Sequence, residues 1–186
     1  MIEETLIEIS NNFRKLSEKN IDHIQNASEI IIKSLRQGGK VMFCGNGGSA
    51  ADSQHLAAEL TGRYRKNRSS LAAVALTTDT SAITAIANDF SFEEIFTRQI
   101  SAIGKQDDVL YATSTSGESA NVLAAIKVAK EMNIKVIGLT GENKSKMDTI
   151  CDIAIKVPAD RADRIQEMHI AVGQIICEII ENSFFP

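Results

Sequence analysis

The chain predicts an α/β domain of three layers, with a five-stranded parallel sheet between helices. Three observations carry that prediction. Short apolar runs alternate with amphipathic stretches along the 186 residues, which is the pattern of βα units. The connections after these runs are rich in glycine and hydroxyl residues, and ligands of such sheets sit beyond the carboxyl ends of the strands. Only two prolines occur, Pro158 and Pro186, so helices can run almost anywhere.

The first forty residues read as two helices. Ile2, Leu6, Ile9, Phe13 and Leu16 recur every three or four positions, and Ile21, Ile24, Ala27, Ile30, Ile31 and Leu35 follow in the same rhythm. Gly38-Gly39 closes the second helix. This N-terminal pair, residues 1–37, carries an apolar stripe before any local core exists, so it packs back on the domain or on another subunit. Lys40–Cys44 is the first strand and Ser49–Leu60 a helix. Leu71–Leu76 is the second strand, followed by helical segments at Thr80–Ala87 and Phe92–Ile103. Asp108–Thr113, Lys135–Leu139 and Cys151–Val157 are the remaining strands. A helix over Ser119–Met132 separates the first two of these, and a short polar connection the last two. A long helix runs from about Arg161 to Glu181. No linker, repeat or low-complexity tract divides the chain, so residues 1–186 are expected to form one domain.

Composition excludes several classes. Twenty Lys and Arg against 24 Asp and Glu give a net charge of −4, the wrong balance for a dedicated nucleic-acid binder. Three cysteines without regular spacing argue for a reducing compartment rather than a disulfide framework. No apolar run reaches the ~18 residues of a membrane span. The acidic, amphipathic start MIEETLIEIS is unlike a signal or transit peptide. The expectation is a cytoplasmic protein with a small-molecule partner, no nucleic acid and no membrane.

Four constellations stand out. Gly45-Asn46-Gly47-Gly48-Ser49 lies between a strand and a helix, where glycines allow close approach and the helix N-terminus suits an anion or a sugar oxygen. Gly45, Gly47 and Ala50 also fit a dinucleotide fingerprint, but the acid expected about 20 residues on falls in the basic stretch Arg63–Arg68. Ser114-Thr115-Ser116-Gly117-Glu118-Ser119 offers four hydroxyls at a helix start, a phosphate cradle without a cation; an ordinary N-cap at Ser119 would need only one. His55 and Glu59 share a helical face, as a metal-binding or acid–base pair or as a plain ion pair. Gln166, His169 and Gln174 sit beside the aliphatic stripe of the last helix, where interhelical hydrogen bonds are the simpler role. Asn88-Asp89 reads as a turn after a helix. The basic stretch reads as a solvated face that could attract an anionic substrate, at a neighbouring subunit's site in the case of Arg63. Cys44 and Cys177 read as core thiols and His23 as surface.

In order along the chain stand C-G-N-G-G-S at 44–49, H-x-x-x-E at 55–59, E-L-T-G-R-Y at 59–64, N-D-F at 88–90, S-T-S-G-x-S-A-N at 114–121 and A-D-R-I-Q-E-x-H at 162–169. With these the sequence resembles the bacterial phosphoheptose isomerases of the sugar isomerase (SIS) domain superfamily, over almost its whole length. The resemblance implies an aldose–ketose isomerase. It would convert sedoheptulose 7-phosphate to D-glycero-D-manno-heptose 7-phosphate, opening nucleotide-activated heptose synthesis for lipopolysaccharide or capsule. It implies that Ser114, Thr115, Ser116 and Ser119 hold the phosphate, and that Asn46, Gly47, Gly48, Asn88 and Asp89 meet the sugar. It implies one zinc per subunit on His55, Glu59 and Gln166, with a fourth ligand, histidine in the family, at the position of Gln174. Gln166 would also touch substrate. An amide oxygen at Gln174 is a poor zinc ligand and cannot titrate. It implies a homotetramer with shared active sites.

The reaction expected is proton transfer through a cis-enediol, with Glu59 as base, His55 moving protons between oxygens, and zinc polarising the carbonyl. The alternative is a non-catalytic tetrameric SIS adaptor that binds the replication initiator protein. Retention of His55 and Glu59 favours the enzyme.

Overall fold

The computed structural model describes residues 1–186. Strands β1 (Val41–Gly45), β2 (Ala73–Ala75), β3 (Val109–Thr113), β4 (Lys135–Thr140) and β5 (Ile153–Lys156) form one sheet in the order β2-β1-β3-β4-β5, with every pair parallel. This is the expected five-stranded sheet. All five residues of β1 and of β3 are buried, as strands covered on both faces must be. Side chains alternate between two cores. Val41, Phe43 and Tyr111 face one cluster with Leu56, Leu60, Met168 and Ile176. Met42, Cys44, Leu110 and Ala112 face the other, with Phe96, Ile100, Val122 and Ile126.

The first cluster is closed by α2 (Ile21–Arg36), α3 (Gly48–Thr61) and α8 (Ala162–Phe184), and the second by α5 (Thr97–Ile103) and α6 (Ala120–Glu131). α1 (Ile2–Lys19) buries only Leu16. Ile2, Leu6, Ile7, Ile21 and Ile175 stay exposed, and Ile21 and Ile175 line a groove of about 300 Å³ with Phe13, Leu16, Ile24 and Ile179.

Three local expectations are corrected. The helix expected over 92–103 is split into a 3₁₀ turn (Phe92–Glu94) and α5. The i→i+3 bond from Glu94 N to Ser91 O, 3.1 Å, tightens the chain there, and Ile95 and Phe96 both turn inward. The polar connection before β5 holds a one-turn helix, α7 (Met147–Ile150). Ser145 donates its N–H and its hydroxyl to Asp148, and Met147 is fully buried. Asn88 and Asp89 end helix α4 (Thr80–Asp89) rather than lying in the loop after it.

α3 and α8 run parallel. The Gln166 side chain lies over Gly48, and Leu56 lies over Gly173, so the N-terminal ends of the two helices coincide. A Cβ on Gly173 would enter the Leu56 side chain. Gly173→Ala is expected to destabilise the fold by about 1–3 kcal/mol through overpacking, read as a lower urea midpoint with an unchanged slope. An unchanged midpoint would show that this helix pair has slack.

Candidate active site

The sheet sets the site. The chain runs outward from β1 to β2 and then returns to β3 on the other side of β1. The crevice of a doubly wound sheet opens where the order reverses, at the carboxyl ends of the two central strands. Gly45 pairs with Thr113 at that edge, so the loops leaving β1 and β3 lie side by side.

The β1 loop is shaped by its glycines. Gly47 has φ +57°, a left-handed conformation that disfavours any side chain. Gly48 leaves room for the Gln166 amide, which a Cβ would strike at 2.8 Å. Asn46 and Asn121 then join the two loops by a reciprocal amide pair. Each Nδ2 donates to the other's Oδ1 at 2.8 Å.

The β3 loop forms a cup of hydroxyls. The Ser114 and Ser119 oxygens lie 2.9 Å apart, with Ser116 Oγ 3.4 Å from Ser114 Oγ. Gly117 N donates to Ser114 Oγ and Glu118 N to Ser116 Oγ. Gly117 has φ +65°, and a Cβ there would collide with Ser145. Ser119 begins α6 but makes no side-chain cap bond. Its hydroxyl is therefore not used in the ordinary capping role and faces the other two. The nearby cation, Lys146, is paired with Glu118 at 3.0 Å. The cup thus offers hydroxyls, loop amides and a helix N-terminus.

His55 Nε2 and Glu59 Oε1 lie 2.9 Å apart on α3. The His55 side chain is half exposed, whereas that of Glu59 is 19% exposed. Glu59 is near enough to Cys177 of α8 for its charge to raise the thiol, after burial, to about 12. Gln174 occupies the α8 turn between Gly173, under Leu56, and Cys177. From Gly48 to Glu59 is eleven residues, roughly 16 Å along the helix, and Gln166 to Gln174 is roughly 12 Å. Gln166 lies at the Gly48 end. Within one chain Gln166 thus lies at one end of α3 and Glu59 about three turns along it.

The zinc implied by the resemblance meets a poor donor set. Within the chain, His55 and Glu59 are the strong donors of that set, and no group of three His, Cys, Asp or Glu residues gathers anywhere. The remaining members are amides. Within one chain these residues do not make a zinc site. Asn88 and Asp89 make their side-chain hydrogen bond to each other, at 2.8 Å on an exposed helix end.

The basic stretch is largely committed rather than a free solvated face. Arg65 pairs with Glu178 at 2.5 Å, Lys66 Nζ reaches Phe185 O, and Arg68 pairs with Glu181. Arg63 stays exposed. Asn121 and Glu181 were not singled out from the sequence. Asn121 lay within a quoted motif, but its partner is 75 positions away. Glu181 gave no signal beyond an acid inside an apolar stripe. His169, beside the polar stripe of α8, is 1% exposed, and both ring nitrogens lack a hydrogen-bond partner.

The SIS domain family model matches residues 6–141. A phosphoheptose isomerase of Rhodospirillum rubrum is 57% identical over 86% of this chain and 85% of its own. One of a Nitratiruptor species is 51% identical over 98% of each chain. Among solved structures, a phosphoheptose isomerase from Neisseria gonorrhoeae superposes with a TM-score of 0.92 at 42% identity, covering 97% of both chains. One from Francisella tularensis superposes with a TM-score of 0.94 at 34% identity, covering 97% of this chain and 96% of its own. The adaptor alternative draws no support from these relatives.

Burial pushes the His169 imidazole down to about 4, from 6.5. Unfolding frees it to bind a proton between those values, so its contribution to stability is full above pH 6.5 and is lost as pH falls toward 4. Stability is expected to drop by roughly 3 kcal/mol across that window, and His169→Phe to flatten the drop. An equally steep drop in the variant would assign it to other groups.

Proposed function

This chain belongs to the phosphoheptose isomerases of the SIS-domain family, and we propose that its site interconverts sedoheptulose 7-phosphate and D-glycero-D-manno-heptose 7-phosphate. The observation that carries the reading is the hydroxyl cup at the head of α6. Its three serine oxygens face one another and the loop amides, and none caps the helix. Such a cup grips a phosphate ester through donors alone and releases it readily. Asn46, Gly47, Gly48 and Gln166 line the same edge and meet the sugar, with Asn88 and Asp89 as further sugar contacts.

The chemistry moves two protons. The Glu59 carboxylate takes the proton from C1 of the ketose, leaving a cis-enediol, and returns it to C2. His55 carries the hydroxyl proton from O1 to O2, so that the aldehyde forms at C1. The 2.9 Å contact between His55 Nε2 and Glu59 Oε1 holds the pair in register.

Glu59 lies toward the far end of α3 from its own chain's cup. The site is therefore completed by a second copy, whose His55–Glu59 pair meets the sugar held at this copy's cup. The exposed Ile2, Leu6, Ile7, Ile21 and Ile175, the last two lining the groove between α1, α2 and α8, supply a surface for that assembly, a homotetramer. A cytoplasmic setting fits the phosphorylated substrate and the three unpaired cysteines.

Glu59→Gln is expected to lower kcat by about 10²–10⁴-fold, and Ser116→Ala to raise KM. Mixing the two inactive or weakened variants under conditions that exchange subunits should restore turnover, because hybrids contain some intact sites. No recovery would refute the shared site, and normal kcat in Glu59→Gln would refute the base. Zinc titrated into metal-stripped protein is expected to bind weakly, and turnover to survive a chelator. Tight stoichiometric zinc with chelator-sensitive turnover would restore a metal to the mechanism.

A further inference from the structure

We infer that the buried Arg68–Glu181 ion pair is the positioning device that holds the last turn of α3, and with it Glu59, in catalytic geometry. The inference rests on the reading of Glu59 as the base. It begins with an unmet need. A helix leaves its last carbonyls without intrahelical partners, and α3 ends at Thr61, two residues past Glu59. Backbone donors reach two of them, Gly62 N to Ala58 O at 2.8 Å and Leu71 N to Leu60 O at 3.0 Å, and none reaches Glu59 O.

Arg68 meets the need from outside the helix. Its Nη2 donates to Glu59 O at 2.7 Å, and Nη1 donates to Leu60 O and Ser69 O at 2.9 Å. A planar guanidinium spans adjacent carbonyls in a way that a point-like ammonium does not. Its charge also suits the negative end of the helix dipole.

Glu181 of α8 fixes the guanidinium in turn. Its Oε1 accepts Arg68 Nε at 2.9 Å, and the two side chains are 1% and 3% exposed. The same carboxylate accepts the backbone N–H groups of Tyr64, Arg65 and Lys66 at 3.1, 2.9 and 2.9 Å. The segment after α3 is thus wrapped around one acid of α8. The arrangement reaches the Glu59 backbone directly, whereas the rest of α3 is held by apolar packing at Leu56 and Leu60. Without it the last turn is free to fray, and a misplacement of about 1 Å at a reacting group costs about 10²-fold in rate.

Steady-state kinetics of Arg68→Lys in the full assembly tests the inference. The variant keeps the charge but loses the fork. We expect kcat to fall by about ten- to a hundredfold with KM nearly unchanged, because the cup is untouched. Ile31→Val, a change in the α2 core that removes no hydrogen bond of the Arg68–Glu181 network, is the control for lost stability alone and should keep kcat. Wild-type kcat in Arg68→Lys, or a change confined to KM, would overturn the inference. Should Arg68→Lys not fold, hydrogen exchange on the wild-type protein decides. The amides of residues 62–66 should open in one step with the last turn of α8, and separate openings would refute the coupling. A wild-type protein that converts no sedoheptulose 7-phosphate would sink the proposed function instead. Activity abolished by Glu59→Gln but retained in Arg68→Lys would sink the positioning role alone.

Discussion

The parallel pairing of β1 with β3 is the constraint on which the site depends. Because β2 lies outside β1, two loops that are far apart in sequence leave the sheet at the same edge. Each loop alone is ordinary: a glycine turn and a serine-rich helix start. Side by side they are joined through Asn46 and Asn121, whose amides satisfy each other at 2.8 Å. Removing one amide would leave the other with a lost partner in a part-buried setting, which is costlier than losing both.

The second constraint is the close parallel contact of α3 with α8, which Gly48 and Gly173 permit. Parallel helices sharing an origin keep residues of equal depth together. Gln166 therefore stays with the cup, while Gln174, Cys177 and Glu181 run alongside the half of α3 that carries His55 and Glu59. The helix at the edge of the cup thus runs on beside Glu59 at its far end. That separation sets the His55–Glu59 pair apart from the cup of its own chain.

Much of this was legible in the sequence where the signal is local. The five strands, the two N-terminal helices and the two ligand loops each announce themselves through periodicity, glycine or clustered hydroxyls. What escaped depends on distant partners or short pieces. α7 is four residues long and rests on one Ser145–Asp148 exchange. The role of Arg68 is set by an acid 113 positions later, so a basic run read as a solvated face is mostly tied down. Spacing places His55 with Glu59, and Gln166 with Gln174, on one face of their helices, but angle says nothing of depth along the axis. His169 sat in a polar motif and is buried nonetheless, since a helix stripe three residues from Gln166 points toward the sheet.

The cup's lack of a free cation suits the phosphate-binding role proposed for it. Substrate and product carry the same phosphate, so tight gripping would slow release as much as it aided capture, and binding both states equally does nothing for the chemical step. Lys146, the charge nearest the loop, is held by Glu118 through its backbone N–H at 2.7 Å and its ammonium at 3.0 Å. On the proposed reading the ester meets hydroxyls, amides and about half a unit of helix charge. That is enough to orient a flexible sugar. On the proposed reading, discrimination between C1 and C2 falls to Glu59 and His55, which sit toward the far end of α3.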